Sequence, residues 1–201
     1  TQARAGSSTL LVPASTGTYG SDSLLRSIDD GATWHSTNLS LHAMDEAQVA
    51  VLPRNRRLLM MMRHAREGEL GKAIAYSDDG GATFGSIDYA PSLVGPVSQA
   101  SIAAIGGALY FSGPNSSTHR VNLVLRRSDD DARSWRQATL LNSGPSGYSC
   151  LVASALSRGG ACATASGARQ LCGGVLYEAF QTAPIGSPSA IRFLRFALND
   201  A

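Results

Sequence analysis

Ser27–Trp34 reads SIDDGATW, Ser77–Phe84 reads SDDGGATF and Ser128–Trp135 reads SDDDARSW. The three segments share the frame S-x-D-x-G-x-[ST]-[WF], and they start at positions 27, 77 and 128, so about fifty residues separate one copy from the next. A fixed period of this size is typical of propellers and solenoids, in which each repeat is one supersecondary unit. The repeat therefore predicts a protein built from similar consecutive sheets.

Each residue type in this frame favours a tight turn for its own reason. Ser27 and Asp29 can hydrogen-bond to nearby backbone groups, and Gly31 can take a positive φ without a Cβ clash. The closing aromatic residue offers apolar area for burial against neighbouring strands. The third copy has Ala132 at the glycine position and Ser134 at the threonine position. We therefore expect its turn to be weaker or differently shaped.

The bulk composition excludes several classes of protein. Hydrophobic residues make up 43% of the 201 residues and charged residues only 16%, which fits a globular protein rather than a disordered one. A net charge of +2 gives no argument for binding nucleic acid, and no apolar run is long enough to span a membrane. The three cysteines lack C-x-x-C spacing and the four histidines are scattered, so no zinc site is predicted. The histidines are expected to lie in solvated loops.

Short strand-like runs alternate with turns rich in Gly, Ser, Asp and Pro along the whole chain, and no long helical periodicity interrupts them. The pattern predicts an all-β protein. The predicted strands cover residues 9–13, 23–26, 48–52, 57–63, 72–76, 101–105, 108–112, 121–127, 137–141, 150–155, 171–178 and 191–198.

Four further segments resemble one enzyme family. They are MDEAQVAVLPRNRRLLMMMR from Met44, FSGPNSSTHRVNLVLRRS from Phe111, WRQATLLNSGPSGYSCL from Trp135 and VLYEAF from Val175. In this order they are similar to the C-terminal half of exo-α-sialidases (neuraminidases) of the lysosomal type, and the repeated octapeptide is that superfamily's Asp box. The resemblance implies a six-bladed β-propeller of the sialidase type. Since such a ring needs roughly twenty-four strands, we expect residues 1–201 to form one partial propeller of about three to four blades, with no separate second domain.

The resemblance also implies roles for particular residues. Tyr148 falls on the family's nucleophile and Glu46 on the carboxylate that activates it. Arg63 and Arg120 fall on two of the three arginines that bind the substrate carboxylate, and Glu178 on the glutamate that orients the remaining arginine. The family's first arginine and its aspartate acid/base have no counterpart here, because the matching sequence begins after them. The isolated chain is therefore expected to be slow or inactive.

The same set is chemically reasonable without the family name. Sialic acid carries a carboxylate on its anomeric carbon, so a neutral phenol avoids the like-charge repulsion that an Asp or Glu nucleophile would meet. A phenol has a pKa near ~10, so a base must take its proton as it attacks, and a glutamate can do so. Arginine matches a carboxylate in geometry and stays charged, which makes it better suited to this contact than lysine.

Each residue also has a purely structural interpretation. Arg63 belongs to an arginine-rich stretch that a solvated loop would explain, and Tyr148 is compatible with a core tyrosine at a turn. Arg120 and Glu178 could be ordinary strand charges, and Asp45 is interpreted as a turn residue. Gly144–Tyr148 lacks the second glycine of a serine-hydrolase elbow, so that enzyme class is excluded.

The sequence thus predicts an exo-α-sialidase that releases terminal sialic acid from glycoproteins, oligosaccharides or gangliosides with retention of configuration, without a metal or organic cofactor. Two alternatives stay open: a catalytically silent sialic-acid-binding propeller, and an Asp-box propeller that serves protein interaction. The resemblance implies a lysosomal or secreted protein, while the composition leaves a microbial origin open.

Overall fold

The computed structural model describes residues 9–17, 20–154, 171–179 and 190–198. These residues form thirteen β-strands and a single four-residue helix, α1 (Glu67–Leu70). The predicted all-β class is therefore confirmed. No helix in the described part of the chain is long or apolar enough to cross a membrane.

The strands form three antiparallel sheets. The first contains β1 (Leu10–Thr16), β2 (Ser21–Ser27) and β3 (His35–His42) in that order. The second contains β4 (Met44–Val51), β5 (Leu58–His64), β6 (Lys72–Ser77) and β7 (Asp88–Ala90). The third runs from β8 (Ser101–Ile105) and β9 (Ala108–Pro114) through β10 (Val121–Ser128) and β11 (Thr139–Ser154) to β12 (Leu171–Ala179) and β13 (Ala190–Leu198).

The long strand β11 belongs to two sets of pairings. Its first part pairs with β10, with Thr139 opposite Leu125. Its second part pairs with β12, with Ser149 opposite Tyr177. Because the partner changes near Ser146, the first part of β11 is the last strand of the group β8–β11. Its second part is the first strand of the group that continues with β12 and β13.

The sheets pack face to face through their first strands. Strand β4 contacts both β1 and β8, and β8 contacts β11. In β5, Leu59 and Met61 belong to a core shared with the third sheet, whereas Met60 and Met62 belong to a core shared with the first. Both faces of the second sheet are thus covered, which explains the continuous apolar run of β5.

The structure departs from the strand prediction in three places. Strand β3 was missed because HSTNLSLH offers few β-branched residues, and its pairing with β2 is what orders it. The three-residue strand β7 is too short to give a pattern. Residues 137–141 and 150–155 were predicted as two strands, but residues 139–154 form the single strand β11 with irregular register.

The three Asp boxes have one hydrogen-bonding pattern. In the first box Gly31 N–H donates to Ser27 Oγ at 2.8 Å, and Thr33 Oγ1 donates to Asp29 Oδ2 at 2.6 Å. These contacts lower the pKa of Asp29 to about 2, because the Thr33 hydroxyl and N–H and the Ser27 hydroxyl favour its charged form. The predicted turn chemistry is confirmed.

The third box has the same shape as the other two, so the expectation of a different shape was wrong, while the expectation of a weaker turn stays a prediction. Ala132 N–H donates to Ser128 Oγ at 2.9 Å, and Ser134 Oγ donates to Asp130 Oδ2 at 2.6 Å, as in the other copies. Ala132 adopts a φ of +69°, so an alanine occupies the conformation that glycine takes elsewhere. The side-chain hydrogen bonds and the burial of the Ala132 methyl group offset the strain of that conformation.

We expect Gly81→Ala to destabilise the protein more than Gly31→Ala. Both glycines occupy the same box position with φ near +90°, but a Cβ on Gly81 would lie 2.6 Å from Leu24 Cδ2, whereas on Gly31 the nearest atom is Leu10 Cδ1 at 3.4 Å. Conformational strain alone costs about 1–2 kcal/mol at each site, and overpacking adds about 1–3 kcal/mol at Gly81 only. Urea unfolding of the two variants measures the difference. Equal losses would contradict the packing argument.

The closing aromatics of the boxes are buried to different extents. Phe84 packs against the core between the first and second sheets, and Trp135 against the core between the second and third. Trp34, in contrast, is 42% exposed, because no sheet precedes β1 in the described part of the chain. Each aromatic therefore packs against the preceding sheet where one is present.

The prediction of solvated histidines was wrong for His64. This side chain is buried at the end of β5, its Nε2 lies 2.8 Å from the carbonyl oxygen of Gly71, and its ring contacts Tyr89 edge to face. Burial lowers the pKa of His64, and the charges of Lys72 and Arg66 lower it further. His35, His42 and His119 are exposed, as expected, but His35 and His42 are the end residues of strand β3 and do not lie in loops.

Candidate active site

Four of the five residues singled out in the sequence come together at one end of the adjoining sheets. Glu46 lies on β4, Arg63 on β5, Arg120 directly before β10, and Tyr148 on β11. Asp45, interpreted above as a turn residue, instead pairs with Arg63 inside the β4–β5 ladder.

Irregular strand pairing orients two of these side chains, Glu46 and Tyr148. The β4–β5 register shifts between Asp45 and Gln48, and Glu46 has a φ of +47°. The β11–β12 register shifts between Ser146 and Ser149, on either side of Tyr148. A bulge turns a side chain out of the regular alternation of a strand, and bulges are common beside functional sites.

Glu46, Arg63 and Tyr148 form a closed set of hydrogen bonds. The Tyr148 hydroxyl donates to Glu46 Oε1 in a short contact. Arg63 Nη1 donates to Glu46 Oε2 at 2.6 Å and to Tyr148 Oη at 2.7 Å. Because Arg63 is only 13% exposed and Glu46 26% exposed, this ion pair is substantially shielded from water.

Arg120 lies on the ring of Tyr148. Its guanidinium carbon is 5.0 Å from the ring centroid, within the range of a cation–π contact. Arg120 Nη2 donates to the carbonyl oxygen of Val97 at 3.2 Å, and the Arg120 carbonyl accepts from Ser146 N–H at 2.8 Å. Arg120 is thus held at both its side chain and its backbone, next to the strand that carries Tyr148.

The surroundings of Tyr148 keep its phenol protonated at neutral pH. Burial raises the pKa of Tyr148, and the Glu46 carboxylate raises it further by accepting the hydroxyl hydrogen bond and by its charge. The positive charges of Arg63 and Arg120 act in the opposite direction. The neutral phenol of Tyr148 therefore donates its hydrogen bond to the base Glu46. The positive charges of Arg63 and Arg120 would stabilise the phenolate once the proton has been transferred.

Gln99 is a residue of this site that the sequence analysis missed. Its Oε1 accepts the N–H of Ser149 at 3.0 Å, next to Tyr148 in the chain. The same loop supplies the Val97 carbonyl that holds Arg120. Nothing in the local pattern VSQAS marks Gln99, because its role depends on a strand fifty residues away.

Glu178 is placed only through its backbone, which pairs with Ile191 in the β12–β13 ladder. Its side chain lies outside the part of the structure that is described, so its supporting role stays a prediction. Within the described residues, no group of three or more His, Cys, Asp or Glu side chains could hold a metal ion.

Comparison with known proteins gives consistent relatives. The model of the BNR repeat-like domain matches residues 2–158. A sialidase from Micromonospora viridifaciens is 33% identical over 135 residues, which cover 62% of this chain and 21% of that protein. The solved Hadza microbial sialidase Hz136 is 29% identical with a TM-score of 0.62, over 78% of this chain and 29% of that chain.

A further solved structure resembles the chain in fold. The intramolecular trans-sialidase of Ruminococcus gnavus, in complex with oseltamivir carboxylate, has a TM-score of 0.69 at 20% identity, over 94% of this chain and 40% of that chain. The chain thus spans well under half the length of each of these relatives. Because the family model covers more than half of its residues, the protein belongs to the BNR repeat-like domain family, with a β-propeller-like all-β fold.

Proposed function

We propose that this chain is part of a retaining exo-α-sialidase, with Tyr148 as the nucleophile and Glu46 as its base. One observation carries the proposal: the Tyr148 hydroxyl donates to Glu46 while Arg63 donates to both partners. A nucleophile in hydrogen-bond reach of a base, with the base oriented by a third group, is the arrangement that activates a weakly acidic hydroxyl. The sialidase relatives support this assignment at low identity.

The reaction follows from this geometry. Tyr148 Oη attacks the anomeric carbon of a sialoside as its proton passes to Glu46, and the bond between that carbon and the leaving-group oxygen breaks. Water then attacks the anomeric carbon and breaks its bond to the tyrosyl oxygen, to which Glu46 returns the proton. The proton that the water loses passes to solvent and balances the aglycone anion released in the first step. Two displacements at one carbon retain the configuration.

The two arginines suit the substrate carboxylate. Arg63 and Arg120 approach Tyr148 from its hydroxyl and from its ring face. A sugar carboxylate beside the anomeric carbon would lie within reach of both guanidinium groups when that carbon is at Tyr148 Oη. Charge-assisted hydrogen bonds from arginine would then fix the sugar and offset its negative charge.

We propose further that additional sheets complete a six-bladed propeller around this chain, including an N-terminal part that would supply the family's aspartate acid and first arginine. Exposed apolar side chains at both ends of the stack of sheets support this. Val12, Ile28 and Trp34 lie at the first sheet, and Ile191 and Phe193 at the last strand. Patches of this kind mark surfaces that another element covers.

The proposed substrates are terminal α-sialosides of glycoproteins, oligosaccharides or gangliosides. A catalytically silent sialic-acid-binding propeller is the alternative from another class. Binding alone would need the arginines, but it would not need a phenol held on a carboxylate. The contact between Glu46 and Tyr148 therefore favours hydrolysis over simple binding.

Release of methylumbelliferone from its α-sialoside by the 201-residue chain tests the proposal. This leaving group needs little protonation, so slow turnover of this activated substrate is expected even without the acid. Binding of the 2,3-didehydro analogue of sialic acid, beside its methyl ester, tests the arginine contacts, and we expect the ester to bind at least about 100-fold more weakly. Turnover that is inhibited by the 2,3-didehydro analogue, but not by its methyl ester, would support the proposed sialidase activity. Binding without turnover would favour the silent propeller, and the absence of both would contradict any sialic-acid site.

A further inference from the structure

Asp22 is a buried carboxylate outside the candidate active site. It lies on β2 with no exposed surface. Its Oδ1 accepts a hydrogen bond from Ser15 Oγ at 2.6 Å, and its Oδ2 is buried without a hydrogen-bond partner. Burying a carboxylate with so few partners is unfavourable, so a structural benefit elsewhere must offset it.

Asp22 fixes the direction of the Ser15 hydroxyl. A serine hydroxyl has one proton to donate and lone pairs that accept. Because the proton of Ser15 points to Asp22, the hydroxyl can act only as an acceptor towards its other neighbours. The group that donates to Ser15 Oγ is the backbone N–H of Glu46, at 3.2 Å.

The backbone of Glu46 needs such support. Its left-handed conformation is unfavourable for a residue with a side chain, and it lies where the β4–β5 register breaks. Its N–H therefore points to Asp45 Oδ1 at 3.0 Å and to Ser15 Oγ. Ser15, on β1, is the member of this pair that ties Glu46 to another sheet.

From these contacts we infer that Asp22 and Ser15 are positioning residues that hold Glu46 in the conformation in which its carboxylate meets the Tyr148 hydroxyl. The inference rests on the proposed function for its catalytic meaning, but not for its geometry. Asp22 orients Ser15, Ser15 holds the Glu46 backbone, and the Glu46 carboxylate receives the Tyr148 proton. None of the three links involves contact between Asp22 and substrate.

The ionisation of Tyr148 tests this inference without any activity. The Glu46 contact raises the pKa of Tyr148, so loosening Glu46 should lower it. In protein labelled with ¹³C at tyrosine Cζ, Tyr148→Phe identifies the signal among the six tyrosines, and Glu46→Gln gives the full loss of the Glu46 contribution. Ser15→Ala and Asp22→Ala are expected to lower the pKa of Tyr148 in the same direction. Asp22→Asn keeps an oxygen acceptor for Ser15, so the pKa of Tyr148 in this variant is expected to be close to the wild-type value.

Ser23→Ala is the matched control. Ser23 lies on the same hairpin and donates to the Ala14 carbonyl, away from Glu46, so its loss should leave the Tyr148 titration unchanged.

If the chain turns over an aryl sialoside, Ser15→Ala should lower kcat about fivefold with little change in KM. The double variant Ser15→Ala with Asp22→Ala should lower kcat no further. A Tyr148 titration that moves in Glu46→Gln but not in Ser15→Ala would overturn the inference, whether or not the chain is active.

Discussion

Replacing Tyr148 with Phe is expected to lower kcat on an aryl α-sialoside by at least about 10³-fold, or roughly 4 kcal/mol of transition-state stabilisation. The substitution removes the one oxygen that the geometry places between the base Glu46 and the cation Arg63. The ring that Arg120 contacts stays in place, so KM should change little. Steady-state kinetics with methylumbelliferyl α-sialoside measures both constants.

The matched control for this prediction is Tyr76→Phe. Tyr76 is also a partly buried tyrosine with an arginine, Arg57, over its ring at 5.0 Å, but it packs in the core between the second and third sheets. It should therefore leave kcat unchanged. If Tyr148→Phe kept more than about a tenth of the wild-type kcat, Tyr148 would not be the nucleophile.

Asp22→Asn is expected to change the pH dependence of stability by about 2.5 kcal/mol. The pKa of Asp22 is raised to about 6, mainly by burial; the Ser15 hydrogen bond opposes this rise, and the charges of Asp45 and Glu46 add to it. Between its ordinary pKa of 3.8 and about 6, the folded protein therefore binds more protons at Asp22 than the unfolded chain does. The contribution of Asp22 to stability must then fall as pH rises through this window, and it stays low above it.

The asparagine variant has no proton to lose at this position. Its free energy of unfolding relative to wild type should therefore rise by about 2.5 kcal/mol between pH 4 and pH 7.5. Urea unfolding of both proteins at a series of pH values gives this difference, and the titration of all other groups largely cancels in it. Any constant cost of the buried amide shifts the curve without changing its slope. A difference that stays flat across this range would mean that Asp22 titrates normally in the folded protein.

The fold was readable from the sequence where its determinants are local. An Asp box places its serine, its aspartate and the backbone groups they bind within eight residues, so the hydrogen bonds of Ser27 and Asp29 follow from composition and spacing alone. The main strands were also predictable, because apolar residues are more frequent in them than in the turns that separate them. Strand β3 was not predictable, because its sequence is polar and it is ordered by its pairing with β2.

The candidate site was readable through a different kind of information. The residues Glu46, Arg63, Arg120 and Tyr148 were found because their motifs resemble a family, and the structure brings the four together. Their chemistry depends on contacts that span up to 102 residues of chain. Without the resemblance, the sequence gives no reason to join a glutamate on β4 to a tyrosine on β11.

By itself, the sequence determined the repeated turns and the all-β class, and through its resemblance to a family it pointed to Glu46, Arg63, Arg120 and Tyr148 as candidate site residues. Only the tertiary structure decided that Ala132 takes a glycine-like conformation, that His64 is buried, and that Asp22 supports Glu46 through Ser15. The physical reason is that turn hydrogen bonds join residues near in sequence. Burial, the orientation of a hydroxyl and the break in a strand register depend instead on which sheets meet, and neighbouring residues do not carry that information.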